Sequence, residues 1–416
     1  MTSELGIPTG RDIRPPRSNI GPVGWLQENL FSTWYNSGFT VFVGTILVVA
    51  LWFVIGWVLL QADWRVIATL GGRVVIGQYN IEAACPGQDC FWRPQAALLL
   101  VNVVLGMVWG VSKNTLPKKV ALVGGIVSSA FALLPYGLDS MGLDVRLLLM
   151  ANIPAVVTGW AIGRHTRIGN TRSIIICSIG IFFITLILLR GIPGIAFLQP
   201  VSVIYWGGLM LNLLLAIAGI GLSLPIGIGL ALGRKSRLTV LKFLCILFIE
   251  VFRGVPLITL LFMSQVLVPL AFPEDFPQNS LFRAAIVITL FSSAYMAENI
   301  RGGLQSLHPG QAEAARALGL PSWQTTLFIS LPQAIRNVIP AIVGQFISLF
   351  KDTTLVYIIG MLDVMEISRA FIQGNPEFLA SAKEVFVFLA IVFWIFTYGM
   401  SYVSRGIEGH LGVGKR

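Results

Sequence analysis

Between Phe39 and Ala62 the chain runs for 24 residues without a charged side chain. Wound as a helix at 1.5 Å per residue, such a run is about 36 Å long, enough to cross a hydrocarbon core of about 30 Å with some tilt. Apolar runs recur at residues 96–111, 120–138, 147–163, 173–189 and 201–232, then at roughly 240–270, 281–303, 333–361 and 384–404. The twenty-residue rule therefore predicts about ten transmembrane helices: an all-α integral membrane protein, built as a polytopic helical bundle. The residue balance agrees. With 55% hydrophobic and only 12% charged residues, and a mean hydropathy of +0.80, soluble globular and disordered classes are both excluded.

The formal net charge is +10, but the cations sit in short loops, where they mark the cytoplasmic side before they suggest an acidic partner. Arg11, Arg14 and Arg17 precede the first run, with Trp25 and Trp34 just ahead of it. That run is too long for a signal-peptide core, so residues 1–38 read as a cytoplasmic tail leading into an uncleaved anchor. The clusters Lys113, Lys118, Lys119 and Arg164, Arg167, Arg172 then fall inside, and the mixed loop 63–95 falls outside. Further on, Arg234, Lys235 and Arg237 lie inside, Glu274 and Asp275 outside, and Arg405, Lys415 and Arg416 put the C-terminus inside. Residues 190–206, with glycines, prolines and interfacial Tyr205-Trp206, divide an accessory transmembrane region, 39–200, from a second part, 201–416. The second part opens with Gly207, Gly208, Gly219, Gly221, Gly227 and Gly229, small residues that let helix backbones approach closely in lipid.

Little here could carry out covalent or acid–base chemistry. The three histidines, His165, His308 and His410, are scattered, and no nucleophile elbow accompanies them. Gly409 to Lys415 has the spacing of the first half of a phosphate-binding loop, but Arg416 stands where Ser or Thr is needed. ATP, if used, is expected to be hydrolysed by another chain. Cys177 and Cys245 fall in apolar runs as packing residues. Cys85 and Cys90 share the outer loop, where a local disulfide and two free thiols are both open to them, and no histidine is near enough for a metal site.

The most distinctive stretch is polar and lies between two apolar runs, His308 to Pro332. Gln311 to Leu318 are good helix formers, Gly319 is placed to take the left-handed conformation that ends a helix, and Leu320-Pro321 turns the chain. Ser322 is a plausible N-cap for a second helix running to Leu331, where Pro332 restricts the backbone beside it. A helix-turn-helix elbow results. A DNA-reading motif has the same outline, but Arg316 and flanking Arg336 make a poor phosphate-binding face, and spanning segments hold the elbow at both ends. Nucleic acid is not an expected partner.

Glu313-Ala314-Ala315, Gly319 and Ile329-Ser330-Leu331-Pro332 resemble the EAA loop of ABC-importer membrane subunits, the cytoplasmic elbow that docks into the ATPase. Phe252-Arg253-Gly254-Val255-Pro256-Leu257, Ala294-Tyr295 with Glu298 and Arg301-Gly302-Gly303, Pro332-Gln333-Ala334 and Ser348 to Leu355 look like the polar amino acid permeases of the histidine/glutamine type. The likeness covers about residues 201–405; the chain has Thr353-Thr354-Leu355 where that family usually has Thr-Ser-Leu. Trp92-Arg93-Pro94 and the paired cysteines look like the longer permease subunit of general L-amino acid transporters. The resemblance implies an ABC type I importer core at 201–416, with an ATPase-coupling loop at 308–332 in which Glu313, Ala314, Ala315 and Gly319 make the contact. It also implies a bacterial inner-membrane location and three kinds of partner. These are an ABC ATPase dimer that uses ATP and Mg²⁺, a second homologous permease or a second copy of this one, and a periplasmic amino acid-binding protein. No cofactor is implied for this chain itself. A secondary amino acid transporter or channel would also use intramembrane charge, but would have no need of a docking elbow.

The substrate-pathway candidates are charges inside the apolar runs. Lys351 and Asp352, followed by the hydroxyl of Thr353, interrupt the run 341–359, where a mid-membrane charge costs about 2.5–3.5 kcal/mol on insertion scales. Neighbours on a helix do not face each other, so each needs its own partner: an adjacent helix, or the substrate in a wet cavity. Glu250 and Arg253 share a helical face next to the Gly254/Pro256 break, as a pocket for a zwitterion or as a simple snorkelling pair; Glu298 and Arg301 pose the same choice. Asn212 and Gln265 are expected to hydrogen-bond between helices.

Overall fold

The computed structural model describes residues 21–79, 84–85, 90, 92–112, 115–130, 143–165, 171–271 and 279–412. Arg11, Arg14 and Arg17 of the expected basic tail lie outside these residues, as do the loop cations Lys113 and Arg167, the acidic loop of Glu274 and Asp275, and Lys415 and Arg416. Apart from two isolated β-bridges, the regular elements among the described residues are helical.

The chain divides after Asp63. The first unit holds α1 (Pro22–Asn29) and α2 (Trp34–Gly56), which a π-helical turn extends to Gln61. The Thr33 side chain caps α2 by accepting from the Asn36 N–H. None of α2's residues is buried, as suits a helix apolar on all sides in lipid.

The second unit contains α3 (Arg65–Ile76), α4 (Trp92–Val111), α5 (Thr115–Ala130), α6 (Leu143–Met150), α7 (Asn152–His165) and α8 (Thr171–Arg190). It continues with α9 (Gly208–Arg234), α10 (Thr239–Gly254), α11 (Leu257–Ala271), α12 (Ser280–Gln305), α13 (Pro309–Ala317) and α14 (Ser322–Gln324). It closes with α15 (Leu331–Asp352), α16 (Val364–Gly374) and α17 (Ala382–Leu411). Over the whole chain, seven described helices are long and apolar enough to span, and an eighth if α10 and α11, bent by 104°, are counted as one. The bend falls where Gly254 ends α10 and Val255 is extended, the conformation a residue before proline prefers. The expected span 147–163 is split at Ala151 between α6 and α7, and residues 131–138 of the expected span 120–138 lie outside the described residues.

The expected outer loop also holds structure. Val66, Ile67 and Leu70, ahead of a kink at Gly71 in α3, and Val74 beyond it are buried with Leu211 and Leu215 of α9, Ile288 of α12, Phe350 of α15 and Leu389 of α17. Three residues give the first part of α3 an apolar stripe, but only the surrounding helices make that stripe an interior one. Beyond it, Cys85 and Cys90 form a disulfide and are buried with Tyr79, Leu189 and Trp206. Tyr79 donates to the Leu189 carbonyl at 2.6 Å, and burial pushes its hydroxyl pKa up to about 12. Arg93, fully buried, donates to the carbonyls of Gln199 at 2.8 Å and Phe197 at 3.3 Å. Trp92 stacks on Phe197.

Helices α4 and α7 meet through glycines. A side chain at Gly106 or Gly159 would overlap the Val156 or Val103 carbonyl across the contact, and Gly110 and Gly163 repeat the arrangement one turn on. This is the small-residue spacing that brings helices close in lipid. Asn102 of α4 joins the same contact, donating to Asn152 of α7 at 2.8 Å and Ser128 of α5 at 3.3 Å.

Candidate functional site

The elbow forms as its residues predict, with two differences. The His308 side chain caps α13 by accepting from the Gly310 N–H, and Gly319 takes φ +81°. The Gly319 N–H bonds to the Arg316 carbonyl at 2.9 Å and the Leu320 N–H to the Ala315 carbonyl at 3.2 Å, the paired closure that a left-handed residue allows at a helix end. The first difference is at the next helix: Pro321, not Ser322, occupies the N-cap position, and no side chain caps it. The second is that the helix does not stop near Pro332. From Ser322 to Ile359 the chain is one long helical element, with a π-helical turn at Thr325–Ser330. In a regular α-helix the proline ring would press on the carbonyl four residues back; the wider π turn ahead of it relieves that crowding.

Within the elbow the two alanines face different ways. Ala315 is buried, whereas Glu313, Ala314 and Gly319 are exposed. Leu318, 84% exposed, stands at the tip, with Trp323 and Phe328 also exposed on the following turns. The root is fastened to the bundle: Asn337 donates to Ser306 at 3.0 Å, and a side chain at Gly303 of α12 would press on the Ala334 backbone of α15.

One turn further in, Glu298 gathers three arginines. It accepts from Arg234 Nη1 at 2.6 Å and from Arg301 Nη2 at 2.6 Å, and Arg253 lies at 3.7 Å. Its side chain is only 14% exposed. Glu250 instead pairs with Arg234 at 3.6 Å, and Arg253 lies over the Tyr295 ring at 5.5 Å. The sequence pairing of Glu250 with Arg253 is thus replaced by contacts between helices: α9, α10 and α12 are tied at one carboxylate. Arg234, read from the sequence only as a loop cation, is part of this cluster; its place in the last turn of a helix, where a cation suits the dipole, was the available signal.

Lys351 is exposed and Asp352 partly so, and among the described residues neither side chain has a hydrogen bond or ion pair. Thr353 is different. It is fully buried, donates to the Phe350 carbonyl at 2.7 Å and accepts from Asn212 at 3.1 Å. Asn212 also approaches Asp363 Oδ2 at 3.4 Å and accepts from the Val364 N–H at 3.1 Å, while Asp363 caps α16 through the Glu366 N–H at 2.9 Å. Burial raises the Asp363 carboxyl pKa to about 6. The interhelical role expected of Asn212 is met here, and Gln265 accepts from Arg283 at 2.7 Å.

The profile of the family described as "Binding-protein-dependent transport system inner membrane component" matches residues 223–409, a range that includes the elbow and the arginine cluster. Over 395 residues the chain is 33% identical to the inner membrane amino-acid ABC transporter permease protein YhdY of Escherichia coli (strain K12), spanning 94% of this chain and 93% of that one. It is 32% identical over 430 residues to the glutamate/glutamine/aspartate/asparagine transport system permease protein BztC of Rhodobacter capsulatus, spanning 95% of each. Among solved structures, "Crystal structure of an amino acid ABC transporter with histidines" matches at 28% identity with a TM-score of 0.43, covering 48% of this chain and 90% of that one. With similarity to YhdY running through nearly the whole of both chains, this protein belongs to the inner-membrane permease subunits of binding-protein-dependent ABC importers, in their amino acid branch.

Proposed function

We propose that this permease imports polar or general L-amino acids, with an ABC ATPase dimer docked on its 308–332 elbow and a periplasmic binding protein delivering the substrate. A second homologous permease, or a second copy of this chain, completes the translocation path. The chain is the non-catalytic membrane subunit; hydrolysis belongs to the ATPase. One observation carries the docking assignment: an exposed elbow, tipped by Leu318, that continues without a break into α15 and so into the interior. The substrate class is supported by the amino acids that the names of YhdY and BztC carry.

In this reading residues 1–38 are a cytoplasmic tail, 39–200 an accessory region, and 201–416 the transport core. The chain crosses the membrane about ten times, with both termini inside. Lys351 and Asp352 offer one charge of each sign with no ion-pair partner among the described residues, as a zwitterion requires. Glu250, Arg253 and Glu298 form a gate, where breaking the Glu298–Arg253 contact would let α10 and α12 part. Reconstitution with the ATPase and binding protein, followed by a screen of amino acids for stimulated ATP hydrolysis, tests the assignment. Uptake that proceeds with no ATPase bound would refute it in favour of a secondary transporter.

A further inference from the structure

Where α5 meets the end of α17, a cleft of about 770 Å³ is lined by Thr115, Leu116 and Pro117 on one side and Tyr398, Tyr402 and Arg405 on the other. The two helices touch at its floor, where a side chain on Gly406 would press into Leu116. The cleft lies at the elbow end of the bundle, since Arg336 of α15 donates to the Leu411 carbonyl that closes α17.

Three observations describe what would fit. Arg405 is exposed and has no carboxylate partner among the described residues; its guanidinium lies over the Tyr398 ring at 5.7 Å. The nearest acid along α17, Glu408, is engaged by the Ser404 hydroxyl at 2.5 Å and does not line the cleft. Exposed Lys118 and Lys119 follow the lining residues along α5 without lining the cleft themselves, Lys118 lying over the Trp109 ring at 5.9 Å, and the first turn of α5 holds no acidic residue. The cleft therefore presents one guanidinium, with no carboxylate partner among the described residues, beside hydroxyl donors. Along α17, Trp394, Tyr398 and Tyr402 recur every four residues, on one helical face, with Trp394 and Tyr398 stacked at 5.2 Å. These rings are exposed, as are Ile391 and Ile395, so an apolar and aromatic track leads away from the cation along the spanning helix.

We infer that this cleft binds an anionic phospholipid, its phosphate held by Arg405 and the tyrosine hydroxyls and its acyl chains laid along the α17 stripe. A free phosphate would use the cation but leave the stripe idle. Basic clefts between spanning helices at the membrane surface are suited to anionic headgroups. The lipid would join the accessory helix α5 to α17 where the two touch at little more than Gly406 and Leu116.

The test is native mass spectrometry of the full chain purified in mild detergent and titrated with dioleoyl phosphatidylglycerol, dioleoyl phosphatidylcholine or inorganic phosphate. The wild-type chain should hold one phosphatidylglycerol about five- to tenfold more tightly than phosphatidylcholine. Arg405→Gln should erase that preference, Tyr402→Leu should weaken it, and Lys235→Gln, at the end of α9, should leave it unchanged. A thermal midpoint for each variant in detergent confirms that it is folded. Equal retention of phosphatidylglycerol by wild type and Arg405→Gln would overturn the inference. So would displacement of the lipid by millimolar phosphate, which would make this a free-anion site. A change of oligomeric mass in Arg405→Gln with lipid retention intact would make it a subunit contact instead.

Discussion

Gly319 offers a substitution whose cost can be worked out from the backbone alone. With φ at +81° and nothing within 4 Å of a Cβ placed there, a new side chain meets no neighbour, and its whole effect is conformational. An L-residue in this region costs about 1–2 kcal/mol, and a β-branched one about 1–3 kcal/mol. Since about 1.4 kcal/mol is a factor of ten, Gly319→Val should depopulate the native turn by about 5- to 140-fold relative to alternatives that lack the Gly319 and Leu320 closing bonds. Gly319→Asn, whose side chain tolerates the left-handed region, should fall least, and Gly319→Ala between the two. A control uses the same added methyl in the opposite backbone setting. Gly180 of α8 also has nothing within 4 Å and is right-handed, so Gly180→Ala should stabilise its helix by about 0.5–1 kcal/mol. The assay is co-purification of the ATPase with the tagged permease, alongside uptake in reconstituted vesicles. ATPase retention should follow the order glycine, asparagine, alanine, valine, with every variant reaching the membrane in normal amount. A Gly319→Val protein that keeps its ATPase and transports normally would show that the segment is a connecting loop.

Three other outcomes are expected from the same structure. Cys85 and Cys90 should be labelled by a membrane-impermeant thiol reagent on intact cells after mild reduction, while a Lys118→Cys variant should not; the reverse pattern would invert the topology. Lys351→Met and Asp352→Asn should insert and assemble yet lose most uptake, because neither side chain makes a hydrogen bond or ion pair among the described residues; loss of the assembled complex would make them structural. For Asp363 the folded pKa of about 6 lies above the ordinary carboxylate value of about 3.9. Stability should therefore be highest while the buried acid is protonated and decline as pH rises from about 4 to about 6. Asp363→Asn should flatten that slope in thermal midpoints measured across this range, and an unchanged slope would assign it to another group.

The features legible in the sequence were mostly local. The elbow could be read because a glycine and two prolines act on the residues beside them, and a helix that needs a left-handed end announces it. The π turn was less legible: Pro332 signals trouble for a regular helix, but whether the chain stops there or widens depends on α12, which holds Ala334 against Gly303. Helix α3 was missed because twelve residues with two glycines and two arginines look like a loop until α9 and α12 supply the other half of its core. The pairing of α4 with α7 was in the sequence, as Gly106/Gly110 and Gly159/Gly163, but two such spacings indicate only that each helix can approach something. Within the Glu298 cluster only the Arg301 contact could be read, as a neighbour three residues on; Glu250 and Arg253 are also three residues apart and yet each finds its counterpart on another helix.

Lys351, Asp352 and Thr353 illustrate why adjacent polar residues had to be separated by structure. Successive residues on a helix point about 100° apart, so three in a row cannot share one environment. Thr353 is the one turned inward, and Asn212 holds its hydroxyl while also holding the backbone of Val364. Since Thr353 also begins the 3-10 turn that ends this helical element, those bonds set the rotation of the chain at its end. With Thr353 fixed on the inner side, Lys351 is left exposed and Asp352 half-buried, with no ion pair of their own among the described residues. Loss of Asn212 would then release the rotation itself, so a permease defect in Asn212→Leu should resemble one in Lys351 or Asp352 even though Asn212 is sealed from any substrate.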